Sequence, residues 1–315
     1  MRLCALSVDL DEIPNYFAIH GLDPLAPEHR AGATAVYDVA VDRLLELARD
    51  ASVPLTLFTI GADMQRPEAA RKIREAHAAG HEIANHSLDH RYDLTRLDRT
   101  GLEEQIAGGS RAIEAVTGEA PRGFRAPGYT ITDAVFDVLM DLDVAYDSSV
   151  FPCPAYFAAK VGSISAYRAR GRESRSVIDS PNVLRAPTRP YFVGRPYWRR
   201  GTGMSPSRVA PLVELPIQVT PRFRLPFIGT SLTLAGPDGA RRLAEMCVGE
   251  PLVNLELHGI DVLDEFDALE ALLPHQPDVR VLRQRKLASL HAVVETLRAA
   301  GYAFVRLDEA ASQFV

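Results

Sequence analysis

Short apolar runs, several of them ending in a charged or polar residue, alternate with amphipathic stretches along most of this chain. The runs at residues 3–10, 55–60, 81–85, 122–124 and 144–146 predict strands, by their β-forming content and their turn-forming flanks. Periodicity near 3.6 predicts helices over 34–49, 68–79, 102–117 and 132–142. Thr34 and Thr132 stand as N-caps, and Gly80 and Gly118 as C-caps. From residue 150 to 212 the rhythm stops in favour of Pro, Arg, Ser and aromatic residues, which reads as a long irregular insertion. It resumes as strand, helix, strand, helix, strand over 213–219, 240–248, 252–257, 285–299 and 302–306. About seven β/α units predict an α/β fold, a (β/α) barrel forming one domain over 1–315.

In such barrels chemistry gathers at the C-terminal ends of the strands, where several polar residues of this sequence fall. Asp9 and Asp11 close the first run, and strand alternation can point both into one site. His86 and His90 follow the third run at i and i+4, a spacing that chelates metals from a helical turn. His258 ends the run at 252–257, placed to exchange a proton at the barrel mouth. Arg125 ends another, where its fixed charge suits an ion pair with a carboxylate.

Composition narrows the possible partners. A 315-residue chain that is 47% hydrophobic can bury a large core, and its net charge of −6 gives no general attraction to nucleic acid. Cys4, Cys153 and Cys247 lack the spacing of a zinc knuckle or redox motif, and read as thiols of a reducing compartment. The apolar start is too short for a signal peptide, so a cytoplasmic protein is expected, with the inner face of the membrane as a second setting. In the insertion, Tyr191, Phe192, Tyr197 and Trp198 lie among Arg195, Arg199 and Arg200. That mixture suits stacking on a sugar, pairing with phosphate or a peripheral membrane contact, and equally a loop that covers the barrel.

Taken in order, Ser7-Val8-Asp9-Leu10-Asp11, His86-Ser87-Leu88-Asp89-His90, Arg125-Ala126-Pro127-Gly128-Tyr129, Tyr146-Asp147-Ser148-Ser149 and Leu255-Glu256-Leu257-His258 resemble the motifs of the polysaccharide deacetylase family. The resemblance covers 1–150 and 213–310. It implies a catalytic set of Asp9 as base, His258 as acid, Arg125 bracing Asp9, and Asp147 holding Arg125. Asp11, His86 and His90 become ligands of one divalent metal, zinc first, with cobalt, nickel or manganese as alternatives. Pro127, Tyr129 and Leu257 become substrate or oxyanion contacts, to which the insertion adds Trp198. The family's usual adjacent aspartates followed by Gly are here separated by Leu10 and followed by Glu12, a departure that points away from polymer substrates.

The expected activity is removal of an N-acyl group, acetyl or formyl, from an amino sugar, with a lipid or phosphate link and oligomerisation left open. Two alternatives stand beside it: opening of a cyclic amide of the allantoin or imide kind, and non-catalytic binding of carbohydrate or lipid on the same barrel.

Overall fold

The computed structural model describes residues 1–178, 180–205, 208 and 210–315. Its strands are β1 (Arg2–Asp9), β2 (Leu55–Thr59), β3 (Glu82–Asn85), β4 (Gly123–Phe124), β5 (Tyr146–Asp147), β6 (Tyr191–Phe192), β7 (Val213–Glu214), β8 (Leu252–His258) and β9 (Tyr302–Phe304). They form one mixed, curled sheet in the order β6-β7-β5-β4-β3-β2-β1-β8, with β9 beside the start of β1. All pairs are parallel except β6 with β7. The result is a distorted half-barrel. Past β7 the ladder stops at Pro216, which has no N–H to donate, although 213–219 was expected to be strand throughout. The seam toward β8 is closed by isolated contacts: Gln218 N–H donates to the Asn254 carbonyl at 3.0 Å, and Ile228 bridges Glu256.

Side-chain alternation sorts the strands into an outer and an inner face. On β1, Cys4, Leu6 and Val8 pack outward, and on β8 Val253, Leu255 and Leu257 do the same. They meet the helices Val41–Ala51, Pro67–Ala78, Gly229–Cys247 and Arg283–Ala299. Inward, the bottom of the barrel is filled by Leu3, Ala5, Phe58, Ala84 and Leu252. It is plugged by Leu307, Ala310 and Ala311 of a short C-terminal helix. Above this floor the inward positions turn polar: Ser7 and Asp9 on β1, Asn254, Glu256 and His258 on β8, all but His258 fully buried.

Three local differences from the sequence reading have physical causes. A helix over Ile13–Ile19 follows directly after Glu12, with Pro14 in its first turn where no N–H is needed. The helix Gly229–Cys247 starts eleven residues before the expected 240 and is kinked at Gly236 (φ 71°) and Pro237, which hides its period. The segment expected to be irregular contains a sixteen-residue helix, Pro154–Ala169, whose polar and apolar residues are poorly segregated and none of which is buried.

Asn254 ties this seam together. Its amide donates to Ser148 Oγ (2.9 Å), the Leu215 carbonyl (2.9 Å) and the Pro216 carbonyl (3.3 Å), while its oxygen accepts from Ser7 Oγ at 3.1 Å. Asn254→Leu leaves these buried groups without their partner. Urea unfolding should show a loss of about 2–3 kcal/mol, against less than about 0.5 kcal/mol for an exposed control such as Arg242→Gln.

Candidate active site

The inner face of β1 delivers Asp9 to the top of the barrel, and the chain leaving the strand delivers Asp11 beside it. His86 immediately follows β3. Residues 86–90 do not make the helical turn that the i, i+4 spacing suggested. Instead Ser87 (φ 68°) and His90 (φ 51°) occupy the left-handed region, a conformation that surrounding bonds must hold in place. Asn85 Oδ1 accepts from Ser87 N–H (2.9 Å), Ser87 Oγ from His90 N–H (3.1 Å), and Gln105 exchanges two bonds with Asp89. The turn sits directly on the helix Arg99–Thr117, where a Cβ on Gly109 would collide with Asn85 and Ser87. The two imidazoles therefore converge through a strained turn.

Each imidazole is fixed through Nδ1. His86 Nδ1–H donates to the Arg125 carbonyl at 2.8 Å, and His90 Nδ1–H to Asn15 Oδ1 at 3.2 Å. Both Nε2 lone pairs then face Asp11 Oδ1, at 3.2 and 3.1 Å. All three atoms are buried, and in this tautomer none has a hydrogen-bond partner among the described residues. Three lone-pair-bearing atoms crowded together in this way need a cation between them. Ligands about 2.0–2.1 Å from a tetrahedral ion lie roughly 3.3 Å apart, close to the spacing seen here. Orientation of both rings through Nδ1 is the usual outer support of such a centre. Asp11, His86 and His90 thus form a triad consistent with a divalent metal site.

Asp9 is held by Arg125, whose side chain is wholly buried. Arg125 Nη1 donates to Asp9 Oδ1 at 2.6 Å, Nη2 to Ser7 Oγ (2.8 Å) and Ser148 Oγ (2.9 Å), and Nε to the Ser148 carbonyl (2.9 Å). Its guanidinium lies 4.0 Å from the centre of the Phe58 ring. Asp9 Oδ2 remains turned to the site, 3.7 Å from His86 Nε2. Asp147 does not hold Arg125. Alternation along β5 turns it aside, where it accepts from Ser149 N–H and Oγ and pairs with the buried Glu214. Burial, then the Asp147 charge, push the Glu214 carboxyl well above its ordinary range, so the pair shares a proton. Ser148 takes the place next to Arg125.

Opposite Asp9, in register with it across β1 and β8, stands His258. Its Nδ1 lies 2.9 Å from Glu256 Oε1, and its Nε2 lies 3.3 Å from the Tyr129 hydroxyl. Burial disfavours the imidazolium, but the Glu256 carboxylate outweighs it and raises the His258 pKa well above the ordinary value. Glu256 escaped the residue-by-residue reading although its signal was present, since the apolar-polar alternation Leu255-Glu256-Leu257-His258 puts it on the face of His258. The same alternation sends Leu257 outward into the core, away from the site.

Tyr129 (φ 58°) presents its phenol, because its backbone N–H is bonded to the Ala126 carbonyl at 3.0 Å. Burial raises the phenol's pKa well above 10, so it stays protonated. Pro127 is buried and starts the short turn that aims Tyr129.

A cavity of about 370 Å³ opens over these groups, walled by Tyr16, Tyr92, Tyr129 and Tyr156 and floored by Asp11 and His258. Tyr156 comes from the helix Pro154–Ala169. Trp198 is not among the lining residues: it is half-buried edge-on to Tyr197, against the cluster that contains Leu139 and Val193. Two of its cationic neighbours are also occupied elsewhere, Arg195 with Asp137 and Arg200 with the Pro190 carbonyl and the Tyr191 ring.

Comparison with known proteins agrees with this arrangement. The family model described as Polysaccharide deacetylase matches residues 35–146. A chitooligosaccharide deacetylase of Sinorhizobium fredii is 36% identical over 111 residues, 32% of this chain and 50% of that protein. The chain spans about half the length of the curated relatives that it matches first. Among solved structures, a presumptive polysaccharide deacetylase of Mycobacterium smegmatis superposes with a TM-score of 0.61 at 20% identity, over 99% of this chain and 90% of the other. A CE4 family pseudoenzyme of Bacillus anthracis gives 0.51 at 14% identity, over 98% and 65%. Motif order, fold and buried triad converge on the polysaccharide deacetylase family, whose model matches residues 35–146 of this chain.

Proposed function

We propose that this protein is a metal-dependent amide hydrolase that removes an acetyl or formyl group from an amino sugar, working as one catalytic domain. The observation that carries the reading is the orphaned Asp11, His86 and His90 triad, flanked by the Asp9 carboxylate on one side and the Glu256-paired His258 imidazole on the other. A fold shared with a pseudoenzyme does not decide activity, so the weight rests on these groups.

Asp11, His86 and His90 would hold the metal, zinc in the first instance, which when bound polarises an amide carbonyl and acidifies a water. Asp9 takes the proton of the attacking water through Oδ2, the oxygen that Arg125 leaves open. The buried guanidinium pairs with Asp9 and fixes its orientation. His258, charged through Glu256, gives its Nε2 proton to the departing amine. The protonated Tyr129 hydroxyl, beside that nitrogen, donates to the substrate. The tyrosine walls offer flat apolar faces of the kind that pack on a sugar ring.

A cytoplasmic setting is supported by the three cysteines, all buried and unpaired. No helix among the described residues is long and apolar enough to cross a membrane. The lipid or phosphate link suggested by residues 191–200 loses its support there, because those side chains lie away from the cavity.

Amine release from N-acetyl and N-formyl glucosamine, with allantoin as the cyclic-amide comparison, tests the reading. Asp9→Asn and His258→Asn should each lower kcat on the order of 10²- to 10⁴-fold while leaving metal content unchanged. Turnover of the cyclic amide alone would move the assignment to ring opening, and full activity in either variant would remove that residue from the mechanism.

The charge on Glu256 makes a separate, pH-resolved prediction. A general acid works while protonated, so the alkaline limb of kcat/KM follows the raised pKa of His258. Glu256→Gln removes the carboxylate that raises it, and the alkaline limb should move toward lower pH while the acidic limb stays in place. An unmoved alkaline limb would assign the proton to another group.

A further inference from the structure

Beside the catalytic cavity lies a second and larger one, of about 750 Å³, that the mechanism does not use. It begins at the back of the metal triad, with His90 and Asn15 in its wall, and it shares Tyr92 and Ser176 with the catalytic cavity. One helix runs along both. Ala155, Tyr156 and Ala159 of Pro154–Ala169 line the first cavity, and Ile164 and Arg168, a turn or more further on, line the second. From Ala159 to Arg168 the helix rises about 14 Å, so the two cavities form one groove that starts at the scissile position and extends well beyond it.

The charge of this second cavity is opposite to that of the chain. Arg91, Arg96, Arg168, Arg172 and Arg175 line it, against Asp89, Asp93 and Glu173, in a protein whose net charge is −6. Two of the three acids are engaged, Asp93 bidentately by Arg91 and Asp89 by Gln105, which leaves Glu173 as the one carboxylate facing the arginines. Among the described residues, Arg96, Arg168, Arg172 and Arg175 make no ion pair and no side-chain hydrogen bond, so four guanidinium groups border one concavity without a protein acceptor. Like charges that line one cavity repel one another, and a bound anion relieves that repulsion. Guanidinium groups suit the two oxygen-bearing anions that they bind bidentately, carboxylate and phosphate.

We infer that the arginine-lined cavity is an anion subsite, which selects N-acyl amino sugars carrying a carboxylate or phosphate beyond the scissile amide. This rests on the hydrolase reading above and adds the substrate class. The cations that recognise the substrate come from residues 91–96 and 168–175, in place of the arginines around Trp198.

Two measurements test the subsite, one of which does not depend on turnover. In the first, calorimetric titration of the metal-loaded protein with inorganic phosphate should show saturable binding. It should be weakened at least about tenfold in the Arg172→Gln, Arg175→Gln double variant and by raised ionic strength. Phosphate binding unchanged in the variant would put the anion at the metal, and that result or no binding at all would overturn the proposal.

In the second, kcat/KM is compared for N-acetylglucosamine, its 6-phosphate and N-acetylmuramic acid. The native protein should favour one of the charged sugars by about tenfold or more, and which one is favoured identifies phosphate or carboxylate as the group read. In the double variant the ratio of charged to neutral turnover should fall toward one, whereas a merely structural defect lowers all three rates alike and leaves the ratio standing. Turnover of all three sugars without preference in the native protein defeats the subsite and spares the hydrolase. Turnover of none defeats the hydrolase, and the phosphate titration still decides the subsite.

Discussion

A guanidinium wholly buried inside a sheet costs several kcal/mol of lost hydration unless it is neutralised and its N–H groups find acceptors, and the interior of this half-barrel is organised around meeting that demand at Arg125. Asp9 supplies the charge. Ser7, Ser148 Oγ and the Ser148 carbonyl take further N–H groups, and Phe58 covers one face. The acceptors belong to two stretches of chain other than Arg125's own, so satisfying one side chain sets β1, β4 and the segment after β5 at fixed distances from one another. Asn254 extends the network across the seam between β7 and β8, where the backbone ladder has ended. Asp9 is thereby held with one oxygen committed and the other presented upward.

Two further constraints build the rest of the site on this base. The triad depends on a turn in which Ser87 and His90 adopt left-handed backbone, which the Asn85 and Gln105 side chains hold and the missing side chain of Gly109 makes room for. His258 depends on Glu256, two residues earlier on the same strand face. Metal ligands and proton donor therefore stand on separate supports, and a change in one need not disturb the other. The Glu214 and Asp147 pair, which shares a proton behind Ser149, is a structural element of the wall.

Much of this was legible in the sequence because strand ends are marked. Asp9, Asp11, His86, Arg125 and His258 each follow an apolar run, and parallel strands bring their C-terminal ends together whatever the loops do. Side-chain direction was harder. The period of two that places Asp9 inward also places Glu256 inward and Leu257 outward, and Asp147 and Ser148 exchange parts because neighbouring residues at a strand end face different ways. Positive φ at Ser87 and His90 has no sequence signal, since neither is glycine; a helical turn and a strained turn share the same spacing. The segment 150–212 was least legible. A helix with little segregation of polar and apolar residues gives no clean period, and an arginine near an aromatic residue says nothing about whether either reaches the cavity.

If Asp11, His86 and His90 hold a catalytic cation, the purified protein carries that ion and loses it with the histidines. Elemental analysis of the purified native protein should find about one divalent metal per chain, lost in the His86→Ala, His90→Ala double variant together with amine release, while circular dichroism shows the fold retained. Metal retained at full occupancy in the double variant would mean that the ion is held elsewhere, and the account of this site would be wrong.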